Sequence, residues 1–300
     1  MEPAANDDAP AVGGFGEQGV ATRRRWFRRP AVMVPLTLLV IALLVGGAFF
    51  LRAWNERGAR EASVDKSVEG FRDDQQGSGS ATLLRPAAGV YTYAARGTEQ
   101  LSLLGTTQAW GDQLPVTVTN DAGPSGSEGC WTIRFEFSTN HVQATTYCPA
   151  GRVLEEVAGS TSQTFDFVAT RVTDVTEFLC DPPGKLVKLD AEAGDRWKQS
   201  CAGTSPERGT AVTSAGTNTF VGVDPVEVGD ETVDALRYRV ERTLSGDQNG
   251  TESTQYWFHP RTAMPLKAVR RVTVASPSPL GDITYTEEGE YQLTSLTPRT

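Results

Sequence analysis

Histidine is the side chain whose proton most readily comes and goes near neutral pH, and this chain of 300 residues has two, His141 and His259. His141 falls at the tip of a predicted hairpin and reads as a solvated turn residue. His259 precedes Pro260 in a turn and reads as a structural hydrogen-bonding group. No Gly-x-Ser-x-Gly elbow accompanies them, so nucleophilic hydrolysis lacks a local signature. No glycine loop of the phosphate-binding kind occurs either. Glu155-Glu156, Asp230-Glu231 and Glu287-Glu288 make poor acid–base pairs, because neighbours on a strand point to opposite faces. They read as solvated edges or turns. No residue is assigned a catalytic role. Cysteine, histidine and acidic residues do not recur at metal-ligand spacing, so neither a metal nor a cofactor is expected.

The cysteines fit a different chemistry. Cys130, Cys148, Cys180 and Cys201 are an even set without a Cys-x-x-Cys pair, which favours disulfides over redox work. With Thr139 at a hairpin tip, Cys130 and Cys148 stand opposite each other on adjacent antiparallel strands, and Trp131 faces Tyr147. Cys180 and Cys201 bracket a second hairpin, so the sequential pairing 130–148 and 180–201 needs only local folding. The aromatic residues are the remaining candidates for binding. Trp131, Ile133, Phe135 and Phe137 share one face of a strand, and Trp257 ends a later one. Trp131, Phe135 and Trp257 are the candidate ligand contacts if the sheet curls around an apolar or glycan ligand. Core filling is the competing reading for all three.

The elements that must carry these residues are strands. Trp131–Phe137, Val233–Arg242 and Leu266–Val274 alternate with period two, and Tyr91 and Tyr93 mark a first strand. Turn formers separate them, among them Pro182-Pro183-Gly184, Gly194-Asp195 and Asn249-Gly250. No helical period persists after residue 80. The expected class is all-β: an antiparallel meander forming a curled sheet, an open half-barrel or a sandwich.

Val226-x-Val228-x-x-Glu231-Thr232-Val233-Asp234-Ala235-x-Arg237, followed by Tyr256-Trp257-Phe258-x-Pro260 and Pro265-Leu266, resembles a group of bacterial cell-envelope β-domains of uncharacterised function. The resemblance covers about residues 184–274. It implies a long meander curling into an open half-barrel, similar to lipoprotein-carrier folds, and it carries no catalytic residue over.

The N-terminal part has another character. Ala31 to Leu51 are 21 residues without a charge, behind Arg23, Arg24, Arg25, Arg28 and Arg29. As a helix they would span roughly 30 Å of hydrocarbon, and the arginines would keep the N-terminus cytoplasmic. A cleaved secretory signal is the rival reading. The expected layout is a disordered tail over 1–30, a transmembrane helix over 31–52, a stalk helix and flexible linker over 53–80, and an extracytoplasmic β-domain over 81–300. Val64, Val68 and Phe71 supply the helical spacing in the stalk. The formal charge of −9 falls wholly after residue 80, where 27 acidic residues outnumber 18 basic ones; nucleic acid is not an expected partner.

Together these features describe a single-pass cell-membrane protein presenting a binding or scaffolding module to lipid, wall polymer or a partner protein. An accessory subunit of a membrane complex and an envelope hydrolase are the alternatives. A cavity within the sheet would favour binding. Titratable groups converging in a cleft would favour hydrolysis.

Overall fold

The computed structural model describes residues 60–74, 79–102, 106–121, 129–166, 171–206, 209–277 and 281–300. One helix, α1 (Val64–Asp73), precedes a run of antiparallel strands. These are β1 (Gly89–Leu101), β2 (Thr106–Ala109), β3 (Gln113–Asp121), β4 (Cys130–Ser138), β5 (His141–Ala150), β6 (Val153–Asp166) and β7 (Arg171–Lys188). There follow β8 (Arg196–Ser205), β9 (Thr210–Val228), β10 (Glu231–Gly246), β11 (Asn249–Phe258), β12 (Pro265–Ser276) and β13 (Ile283–Leu293). From β3 to β13 each strand pairs with the next in sequence, as hairpin-linked meanders do.

The sheet closes, which corrects the expectation of an open half-barrel or a sandwich. β13 pairs with β1 from Tyr93↔Leu293 to Leu101↔Tyr285. The other edge of β1 is shared, by β3 over Gly89–Ala94 and by β2 over Thr98–Leu101. The result is a closed antiparallel barrel of 12 staves. Pairing of β13 with β1 removes the two long terminal edges that an open meander would expose to association.

A second correction concerns the membrane. Among the described residues no helix is long and apolar enough to cross a bilayer. Helix α1 has 10 residues, about 15 Å of rise, half a bilayer core. The run Ala31–Leu51 and the tail before it lie outside the described residues. The single-pass anchor, its orientation and the cell-membrane placement are therefore not carried further. Helix α1 is capped by Ser63, whose hydroxyl accepts from Lys66 N at 3.4 Å. Its Val64, Val68 and Phe71 pack on Ala88 and Val90, on the outer face of β1.

Inside the barrel the two ends differ. Where β4, β6, β10 and β12 begin, the cross-section is filled by buried aromatic and aliphatic side chains, Trp131, Tyr93, Tyr238, Phe258 and Leu266 among them. Tyr93 donates to Pro265 O at 2.6 Å and Tyr238 to Lys188 O at 2.9 Å, so their hydroxyls are satisfied inside an apolar plug. The two disulfides, Cys130–Cys148 and Cys180–Cys201, join strands as the spacing led one to expect. The register Trp131↔Tyr147 about Thr139 is the expected one as well.

Candidate functional site

Past the apolar plug, the same alternation that points Leu266 and Ala268 inward on β12 points Arg270, Val272 and Val274 inward next. On β13 it delivers Tyr285 and Glu287, and on β1 Glu99 and Leu101. All of these except Glu99, with their counterparts around the barrel, line a cavity of about 230 Å³. Toward the end where Leu101, Leu244, Val274 and Ile283 lie, the apolar lining is mixed with Gln163, Asp174, Gln248 and Ser276; deeper in, the wall carries Gln143, Glu156, Arg242, Glu252, Arg270 and Glu287.

Side chains that cross the lumen make this inner wall. Arg242 on β10 reaches Glu156 on β6, Nη2 to Oε2, at 2.9 Å. Gln199 on β8 donates to the same oxygen at 2.7 Å and accepts from Asn218 Nδ2 at 2.9 Å. Arg270 on β12 donates to Gln143 Oε1 on β5 at 2.7 Å and ion-pairs with Glu287 Oε1. Burial alone would lower the pKa of the Arg270 guanidinium, but Glu287 and Glu252 outweigh it and hold the group above its ordinary value, fully charged. Arg242 is held up in the same way by Glu156 and Glu252 against its burial. Burial, with Glu252 beside it, pushes Tyr256 up to about 12, so its phenol stays neutral.

A tighter constellation sits beside the cavity. Glu99 and Glu287 are direct cross-strand partners on β1 and β13, so their side chains share one face. His141 Nδ1 lies 2.7 Å from Glu99 Oε1 and 3.9 Å from Glu287 Oε2. Trp110 Nε1 donates to Glu99 Oε1 at 2.9 Å, and the Tyr285 hydroxyl donates to Glu287 Oε2 at 2.7 Å. Trp110 can lie there because Gly97 and Gly289, paired across the same seam, leave the space: a Cβ on either would stand 2.4 Å from the indole. All three titratable residues are buried, His141 at 2% exposure.

Several expectations change here. His141 is a buried strand residue at the first pair after the Thr139-Asn140 turn, because a bulge in β4 turns it inward against Phe137. Glu156 and Glu287 are interior and not solvated edges; Glu288, the outward neighbour, pairs with Arg271 at 2.8 Å in the open. His259 sits in the turn, its Nδ1 accepting from Arg261 N and Thr262 N, each at 3.2 Å.

The aromatic candidates do not line the cavity. Trp131 is fully buried in the plug, its Nε1 donating to Leu84 O at 2.9 Å and its ring 4.9 Å from Tyr147. Phe135 packs with Tyr93 and Tyr291. Trp257 belongs to the outer face, opposite Arg237 and Lys267. Its Nε1 donates to Asp224 at 3.1 Å while Lys267 lies over the ring. Tyr256, one residue earlier, lines the cavity instead, together with Tyr147, Phe178 and Tyr285. The lumen residues come from strands far apart in sequence, and no local motif announces them; the period-two parity of β12 and β13 was the available signal.

No protein-family model matches the chain, and no curated protein is similar to it. Among solved structures, the hypothetical lipoprotein YmcC from Escherichia coli (K12) is similar over 69% of this chain and 85% of its own, at 10% identity and a TM-score of 0.27. A likeness that small assigns this chain neither a function nor a lipoprotein-carrier fold, and the barrel has to be read from its own residues.

Proposed function

We propose that the protein is a binding module that takes a small amphipathic molecule into the barrel lumen. The observation that carries this is the cavity of about 230 Å³, lined both by apolar side chains and by the Arg242–Glu156 and Arg270–Glu287 pairs. Such a mixed lining suits a molecule with a polar group to meet those pairs and an apolar part to lie against Leu101, Val272 and Ile283. Small closed barrels hold ligands in this position. The two disulfides fit folding in an oxidising compartment.

Hydrolysis is the second reading, because titratable groups do converge in the lumen. A general base, however, needs a lone pair aimed at its substrate. Here Glu156 is engaged by Arg242 and Gln199, and Glu287 by Arg270 and Tyr285. Glu99 is engaged by His141 and Trp110. Carboxylates held this way shape and polarise a site more readily than they abstract protons.

The test uses native mass spectrometry on the full-length chain. Wild type should carry a non-covalent small-molecule adduct. Val272→Trp, which fills the lumen, should lose it, and Thr273→Trp on the exposed outer face should keep it. Adduct retention by a folded Val272→Trp protein would place the ligand elsewhere and end this reading.

A further inference from the structure

We infer that Glu99, His141 and Glu287 form a binding site for one divalent first-row transition-metal ion, with Zn2+ and Mn2+ as the natural candidates. The ligand atoms, one imidazole nitrogen and two carboxylate oxygens, all lie within 4.8 Å of one another. The three residues come from β5, β1 and β13. Metal ligands at about 2.1 Å from an ion stand roughly 3–3.4 Å apart in octahedral or tetrahedral geometry. The observed 2.7 Å and 3.9 Å from Nδ1 to the two carboxylates bracket that range. The donor set holds no sulfur, since all four cysteines are in disulfides. It mixes nitrogen and oxygen, which suits zinc or manganese better than an all-oxygen calcium site.

Two further observations point the same way. First, each of the two oxygens facing His141 also accepts a hydrogen bond from outside the triad, Glu99 Oε1 from Trp110 Nε1 and Glu287 Oε2 from the Tyr285 hydroxyl, and keeps lone-pair capacity for an ion, while Arg270 takes the other oxygen of Glu287. Oriented ligands of this kind are what an outer shell around a metal supplies. Second, the site is closed on the wall side but His141 and Glu287 border the cavity. Three protein ligands with an open side leave a coordination position for water or a lumen ligand. Two carboxylates directly opposite each other on one face are otherwise unfavourable. The competing reading is that Arg270 and His141 alone offset them.

The inference does not depend on a small molecule entering the lumen, because the probe is the ion itself. The full-length chain, purified without an affinity tag and stripped with a chelator, is titrated with Zn2+, Mn2+ and Cu2+. One equivalent should bind, and calcium and magnesium should not compete at similar concentration. Surface carboxylates also attract cations, so the decisive measurement is nitrogen coupling in the electron paramagnetic resonance spectrum of the Cu2+ form. The chain has two histidines. A single imidazole coupling that survives in His259→Gln assigns the nitrogen to His141 without disturbing the site. Glu99→Gln, where it folds, should weaken stoichiometric binding at least tenfold, and Glu288→Gln on the outer face should not change it. Absence of stoichiometric binding, a spectrum without nitrogen coupling, or coupling lost in His259→Gln would each overturn the site and leave the triad as a structural ion cluster.

Discussion

The two halves of the barrel interior are built from the same staves with the same alternation, yet one is solid and the other hollow. Around Trp131, Tyr93 and Phe258 the inward positions carry rings that interlock, with centroids 5.9 Å apart for Tyr93 and Phe135 and for Tyr238 and Phe258. Such filling is non-directional, and each ring touches several others. Around Arg270, Arg242 and Glu156 the inward positions carry long polar side chains that meet as pairs across the lumen. A pair spans a cross-section without filling it, and the cavity of about 230 Å³ remains beside it. Stability is thus concentrated at one end and polar specificity at the other.

The sharpest way to break the contrast is Trp131→Ala. It empties the centre of the plug and leaves Leu84 O without its indole donor, so a loss of about 5 kcal/mol is expected in thermal or denaturant unfolding. A loss below about 1 kcal/mol would show that the plug does not carry the fold. Arg270→Met tests the opposite half. It leaves Glu287, 3% exposed, as a buried carboxylate without its guanidinium, at a cost of about 4 kcal/mol. Adding Glu287→Gln should restore a large part of that. If the double variant is no more stable than the single one, the polar inner wall is held by shape and not by charge.

Smaller effects sharpen the picture. Trp257→Ala removes a partly exposed ring from the outer face and should cost about 1 kcal/mol or less, with adduct retention unchanged; a loss like that of Trp131→Ala would mean the barrel wall is stabilised from outside. The smallest expected effect concerns His259. Burial and then Arg261 hold it below its ordinary value of 6.5. The unfolded chain therefore takes up this proton first as pH falls, and stability contributed at neutral pH is lost on acidification just below 6.5. Comparing melting temperatures of wild type and His259→Gln from about pH 7 to pH 5 should show a shallower slope in the variant. Equal slopes would remove His259 from the pH response.

Local features were readable from the residues alone. Alternation gave the strands around Trp131 and Leu266, and symmetry about Thr139 gave the Cys130–Cys148 bridge. Closure was not readable, because the pairing of Glu99 with Glu287 depends on strands at opposite ends of the domain and no local pattern encodes it. Parity is unforgiving in the same way: a one-residue difference decides between Trp257 outside and Tyr256 inside, and the bulge at Trp257/Phe258 shifts the count. His141 departs from its expected place for a related reason. A residue beside a turn looks solvated until a bulge and a closing strand on the far side bury it.

Synthesis order gives the β1–β13 seam a further meaning. Thr284 N bonds Ser102 across 182 residues of chain, so β1 leaves the ribosome long before the strand that completes it. At about 5–20 residues per second, that interval lasts roughly 10–40 s. Until then one edge of β1 is unpaired, Glu99 lacks its opposite carboxylate, and Gly97 has no Gly289 beneath Trp110. A meander that formed before β13 was made would be an open sheet with its aromatic face uncovered, the state in which such sheets pair with one another. Whatever protects this chain as it emerges has to act on that growing meander, and its task ends when β13 docks.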